Sequence, residues 1–156
     1  MSASVDEPSV PKIVVDASVV LAWYLPAEPY KDAALEILEQ ASVSRTVLCA
    51  PTLMRFEVLN VLALSVRGIT PRQRLAQDEA DEILAAFLRL PLEEHPITAL
   101  EQRVLEIAVA HRRSAYDAAY LALAEALNAE FVTGDAGLYR TIRRRFPMAR
   151  LIGPAR

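Results

Sequence analysis

Four short apolar runs, separated by helix-patterned sequence, limit the folds open to this chain. They are Lys12–Val15, Thr46–Ala50, Glu130–Thr133 and Arg150–Ile152. Runs of this length, apolar and β-branched at their centres, are what strands buried on both faces of a parallel sheet require. Between them, Ser18–Tyr24 leads to Pro26, and Tyr30–Ala41 places Ala33, Ala34, Ile37, Leu38 and Ala41 at helical spacing. Leu53–Val66 reads as a helix stopped by Gly68, and Thr70–Pro71 as the start of another with Leu75, Ile83, Leu84, Phe87 and Leu88 on its apolar face. Thr98 and Glu101 have capping-box spacing ahead of Val104, Leu105, Ala108 and Val109. Asp117–Leu127 and Leu138–Arg145 complete the helices. Strands alternating with helices predict an α/β fold with a mainly parallel sheet.

A chain of 156 residues without internal repeat or low-complexity linker reads as one domain, residues 12–156, behind a polar flexible tail at residues 1–11. Its apolar content is 53% and its mean hydropathy +0.21, rich enough that either burial is thorough or a partner covers part of the surface. The longest apolar runs, Val19–Leu25 and Ala118–Ala124, are far too short to span a bilayer, and the N-terminal segment has no signal-peptide pattern. The single cysteine, Cys49, lies in an apolar run and reads as a core thiol. One cysteine permits no disulfide within the chain, which agrees with a reducing cytoplasm. A net charge of −3 excludes a globally basic nucleic-acid binder.

Acidic residues stand where the apolar runs stop. Asp16 ends the first, Glu57 lies among Phe56, Val58 and Leu59, Asp117 opens the apolar stretch that begins at Ala118, and Asp135 follows the third run. A carboxylate beside buried sequence is costly unless it is paired, hydrogen-bonded or bound to a cation. In open parallel sheets the site lies beyond the carboxyl ends of the strands, so all four acids can reach one rim. Each alone has an ordinary role open to it: Asp16 and Asp135 as helix caps, Asp117 in the pattern S-x-x-D, Glu57 facing solvent. Those roles do not explain the apolar neighbours of Glu57, or Asn60 one turn later on the same face. Clustered carboxylates suit a hard divalent cation such as Mg²⁺, and such sites hydrolyse phosphodiesters. Ser18, two residues after Asp16, and Thr133, two before Asp135, are placed to orient carboxylates or water.

Other acid-based chemistries fit less well. A phosphoaspartate phosphatase needs a second Asp where Ser18 stands, and the acidic pair and late-strand lysine of a receiver domain are missing. There is no glycine-rich phosphate loop. His95 and His111 lack metal-ligand spacing and read as structural or surface residues. Arg112 and Arg113 precede Asp117, and Arg140, Arg143, Arg144 and Arg145 follow Asp135. Both clusters are open to two readings, phosphate contact or a solvated basic helix end.

The segments IVVDASV, PTLMRFEVLN, SAYDAAYLALA and TGDAGL, in this order, resemble the PIN-domain ribonucleases, specifically the VapC-type toxins of bacterial toxin–antitoxin pairs. The resemblance covers Lys12 to Ile152. It implies a parallel sheet flanked by helices, with Asp16, Glu57, Asp117 and Asp135 as catalytic acids that bind Mg²⁺ or Mn²⁺. Ser18 and Asn60 would support them. It also implies cleavage of single-stranded or loop RNA, a homodimer, and inhibition by a cognate VapB-like antitoxin. Two alternatives remain on the same fold: a non-catalytic module binding RNA or protein, and a structure-specific DNA or RNA-maturation nuclease.

Overall fold

Residues 9–26, 28–70 and 74–153 are described by the structure, a computed structural model. The first run forms β1 (Lys12–Val15), and its chain turns at Asp16 into α1 (Ala17–Tyr24). Lys31, at the start of α2 (Lys31–Ser42), reaches back to α1. Its ammonium donates to the carbonyls of Ala22, Trp23 and Leu25 at 3.0–3.3 Å. That satisfies the orphan acceptors of the helix end and places a positive charge on the negative pole of its dipole. Next come β2 (Val47–Pro51) and α3 (Met54–Arg67), which ends on left-handed Gly68 at φ 68°. A glycine there takes the left-handed conformation without a Cβ penalty.

The rest of the chain is α4 (Gln77–Leu88), β3 (Glu93–His95), α5 (Glu101–His111), α6 (Ala115–Ala126), β4 (Glu130–Thr133), α7 (Ala136–Ile142) and β5 (Ala149–Leu151). All pairings are parallel, and the strand order is β3-β2-β1-β4-β5. The strand order reverses between β1 and β4, and a crevice at their carboxyl ends is where such sheets bind ligands. The central strands carry the core, with Val14, Val15, Leu48, Cys49, Phe131 and Val132 all buried. α6 covers one face with a buried stretch from Ala118 to Ala124 and packs against β1, β2 and β4.

Three expectations need correction. β3 is an added strand: Glu-Glu-His carries no apolar signal because it lies at the sheet edge, half-buried throughout. The helix expected at Thr70–Pro71 begins at Gln77, with Ala76 at its cap and the Glu79 carboxylate accepting the Ala76 N–H at 2.7 Å. Residues 71–73 of that expectation lie outside the described residues. Thr98 does not cap α5. Ala99 takes φ 70°, the Leu100 N–H donates to the Ile97 carbonyl at 2.7 Å, and this turn puts Leu100 at the helix start instead. The tail expected at residues 1–11 falls mostly on residues 1–8, outside those described. No helix among the described residues is long and apolar enough to cross a membrane.

Candidate active site

Two acids come from the strand ends at the switch point. Asp16 follows β1, and its backbone N–H donates to the Val132 carbonyl of β4 at 2.9 Å, which locks the β1 exit to β4. It stands at the cap position of α1 but makes no side-chain cap, so its carboxylate serves something else. Oδ2 accepts from Thr133 Oγ1 at 2.7 Å and from Ser18 Oγ at 3.0 Å. Thr133 Oγ1 in turn accepts the Asp135 N–H at 3.0 Å, and Ser18 Oγ accepts the Gly134 N–H at 2.9 Å. These two hydroxyls stitch the ends of β1 and β4 together around one carboxylate. Gly134 admits this closeness because the Tyr30 ring lies over it, where a Cβ would sit. Asp135 does cap α7, its Oδ1 accepting the Leu138 N–H at 2.9 Å. That ordinary role is real and engages one oxygen of the carboxylate.

The other two acids come from helices. Glu57, in the first turn of α3, is half-buried and accepts a 2.7 Å hydrogen bond from the Tyr120 hydroxyl of α6. Asp117 is in the first turn of α6. Ser114 caps that helix by accepting the Asp117 N–H at 3.1 Å, leaving the Asp117 carboxylate for the site. Arg113 takes up one of its oxygens, Nε and Nη2 donating to Oδ2 at 3.1 and 2.9 Å.

The electrostatics couple Asp16 to Asp117 and Asp135, and Glu57 to Asp16 and Asp117. Asp16 is pushed above the usual carboxylate range mainly by burial, with Asp117 and Asp135 adding to the rise and the Thr133 and Ser18 bonds opposing it. Burial also raises Glu57 to about 7; the Tyr120 bond opposes the rise, and Asp16 and Asp117 add to it. Tyr120 is raised by burial and by the charge of Glu57. Asp16 and Glu57 have no ion-pair partner among the described residues. The donor set is all oxygen, it repels itself, and its two deeper members lack a counter-charge. That combination fits a hard divalent cation. The carboxylates are splayed: among the described residues, no three of them bring oxygens within 4.8 Å of one another.

Asn60 lies one turn beyond Glu57, exposed, and lines with Leu53, Phe56, Glu57 and Tyr116 a cavity of about 580 Å³. Arg112 is exposed and left-handed at φ 51° at the end of α5. Arg140, Arg143, Arg144 and Arg145 are exposed at the far end of α7. Seven helical residues separate that end from Asp135 by about 10 Å. A second set, Cys49, Glu93 and His95, does close within 4.8 Å on adjacent strands. The Lys12 ammonium already sits 2.7 Å from Glu93, and burial pushes the thiol up to about 11, so this set is an ion-paired edge rather than an open site. Sequence reasoning missed Tyr120 as the partner of Glu57, because nothing at a separation of 63 residues marks the pair. It left Arg113 open between phosphate contact and a solvated helix end, and neither reading put it on Asp117.

The PIN domain family model matches residues 13–143. Ribonuclease VapC9 of Mycobacterium tuberculosis is 35% identical over 136 residues, covering 87% of this chain and 95% of the relative. Ribonuclease VapC3 of Pyrobaculum aerophilum is 32% identical over 138 residues, with the same coverage of each chain, 87% and 95%. This chain belongs to the PIN-domain family. Among solved structures, VapBC2 from Rickettsia felis, bound to a DNA fragment from their promoter, superposes on this PIN domain with a TM-score of 0.62 at 14% identity, covering 90% of this chain and 96% of that one. PAE2754 from Pyrobaculum aerophilum gives 0.55 at 23% identity, covering 85% of this chain and 80% of the other. At these identities the likeness is one of fold.

Proposed function

We propose that this PIN domain is a divalent-cation-dependent endoribonuclease and the toxin of a toxin–antitoxin pair. One observation carries the reading: Asp16 and Glu57, drawn from the switch-point strand and a crossing helix, are raised by burial and have no ion-pair partner among the described residues, in company with Asp117 and Asp135. The named VapC ribonucleases among its relatives support RNA as the substrate.

Asp16, Glu57, Asp117 and Asp135 would hold Mg²⁺ or Mn²⁺ between them. Such an ion supplies, when bound, positive charge for the phosphodiester and a lowered pKa for water. The chain's own groups do the remaining work. Thr133 and Ser18 fix the Asp16 carboxylate by donating to Oδ2, so its other oxygen is aimed without losing rotamer freedom during the reaction. Tyr120 holds Glu57 by Oε1. Glu57, raised to about 7 by burial, is suited to accept a proton from an attacking water. Asn60 offers an amide at the rim, and Arg112, Arg140, Arg143 and Arg144 offer guanidinium groups that suit RNA phosphate.

The apolar surface supports partners. Phe56 and Leu59 on α3 and Leu88 on α4 are exposed, and a groove lined by Leu59, Leu62, Ala63, Val66, Ala80 and Leu84 runs between the two helices. A second copy of the chain and a VapB-like antitoxin are the occupants this reading assigns to such faces, within the cytoplasm. Induced expression of wild type and Asp16→Asn, with RNA-end mapping, tests the function. Growth arrest with defined RNA cuts in wild type alone is expected. RNA cuts that persist in Asp16→Asn would remove the acids from the chemistry.

A further inference from the structure

Among the described residues, Arg113 is the one cation paired with the acid cluster. Both of its bonds fall on a single oxygen, Asp117 Oδ2, and the two side chains are only 26% and 29% exposed. The connection between α5 and α6 holds it there from both sides. On one side, Arg112 turns left-handed at φ 51°, a conformation costly for a residue with a Cβ, and the Arg113 N–H donates back to the Ala108 carbonyl at 3.1 Å. On the other, Ser114 immediately starts α6 by capping Asp117. The geometry thus gives Asp117 a paired cation, while Asp16 and Glu57 have none among the described residues.

A divalent cation that draws on Asp117 Oδ2 takes that oxygen from Arg113. The freed guanidinium then lies at the mouth of the site as a planar fork matched to phosphate. We propose that Arg113 is a resident counter-ion of Asp117 that competes with the divalent cation and, once displaced, holds an RNA phosphate. This rests on the cation-dependent nuclease reading. Arg113 therefore couples the two ligands: it opposes the cation when RNA is absent and recruits RNA when the cation is present.

The test uses the full chain, with cation affinity read from Mg²⁺-dependent thermal shifts in the absence of RNA, so activity plays no part. Arg113→Gln is expected to bind Mg²⁺ on the order of three- to tenfold tighter than wild type, with Arg113→Lys between them. A merely structural Arg113 would lower the melting temperature and leave the Mg²⁺ affinity where it was. Equal or weaker Mg²⁺ binding by Arg113→Gln, beside a wild type that does bind, overturns the competition while the nuclease reading stands. A wild type with no Mg²⁺ or Mn²⁺ shift overturns both. Affinity for a short single-stranded RNA is then measured with Ca²⁺ and with EDTA. Arg113→Gln should weaken it only with Ca²⁺ and reduce the log–log salt slope by about 0.7. An equal loss under both conditions, or none, overturns the phosphate role.

Discussion

Glu57→Gln in the cation-free protein gives the sharpest test of how the acid cluster is built. Burial raises the Glu57 carboxyl from 4.5 to about 7, so the folded chain holds this proton more tightly than the unfolded chain does. The stabilisation is therefore complete below about 4.5 and is lost as pH rises through 7. Each unit of displacement corresponds to about 1.4 kcal/mol, an upper limit near 3 kcal/mol for the whole shift. Glu57 is only half-buried, and solvent screening reduces the figure to about 1–2 kcal/mol. In a domain of this size that is about 2–8 °C in Tm. Thermal denaturation in EDTA at pH 5, 6, 7 and 8 should show wild type falling more steeply than Glu57→Gln. Asp16 is raised as well, so some slope should remain in the variant. At pH 8 the variant should be the more stable protein without cation. Saturating Mg²⁺ should reverse that order, since the ion stabilises only the chain that binds it, by about 2.7 kcal/mol at a hundred times Kd. Parallel pH profiles for the two proteins, or a Gln variant less stable at pH 8 in EDTA, would refute the desolvated-carboxylate account.

Tyr120→Phe removes the one hydrogen bond that lowers the Glu57 pKa, so the Glu57 midpoint, followed by carboxyl NMR, should move above 7, with a stability loss of about 1 kcal/mol. A midpoint that stayed or fell would mean Tyr120 does not donate to Glu57. Thr133→Val keeps shape but deprives Asp16 of a donor and strands the Asp135 N–H, a loss of about 1–3 kcal/mol that Thr133→Ser should largely restore in urea unfolding. Equal stability of all three proteins would show the hydroxyl to be idle. Gly134→Ala places a methyl in the Tyr30 ring and should cost about 1–3 kcal/mol, with Tyr30→Ala in the same chain recovering most of it. Additive losses in the double variant would mean that the two residues do not meet.

Much of the scaffold was legible along the chain. β1, β2 and β4 lie inside the sheet, so their sequences had to be apolar on both faces and stood out as runs. β3 did not stand out, because an edge strand keeps one side in water and can be Glu-Glu-His. Gly68 announced the end of α3 by its freedom at positive φ, whereas Ala99 and Arg112 take the same region with residues that carry no such signal. The acids were legible as candidates because an ionisable residue at the end of an apolar run is an anomaly of residue type alone.

What the sequence determined by itself was the α/β class, and it marked four acids as candidates, since both depend on local pattern and on the solvation cost of single side chains. Only the tertiary structure decided which groups answer those acids. Thr133 meets Asp16 across 117 residues, Tyr120 meets Glu57 across 63, and Asp135 keeps one oxygen on a helix cap. Hydrogen bonds and desolvation depend on separation in space, and strand order sets that separation. The β1–β4 junction therefore gives Asp16 its hydroxyls, while α6 brings a tyrosine to Glu57 and the α5–α6 connection brings an arginine to Asp117.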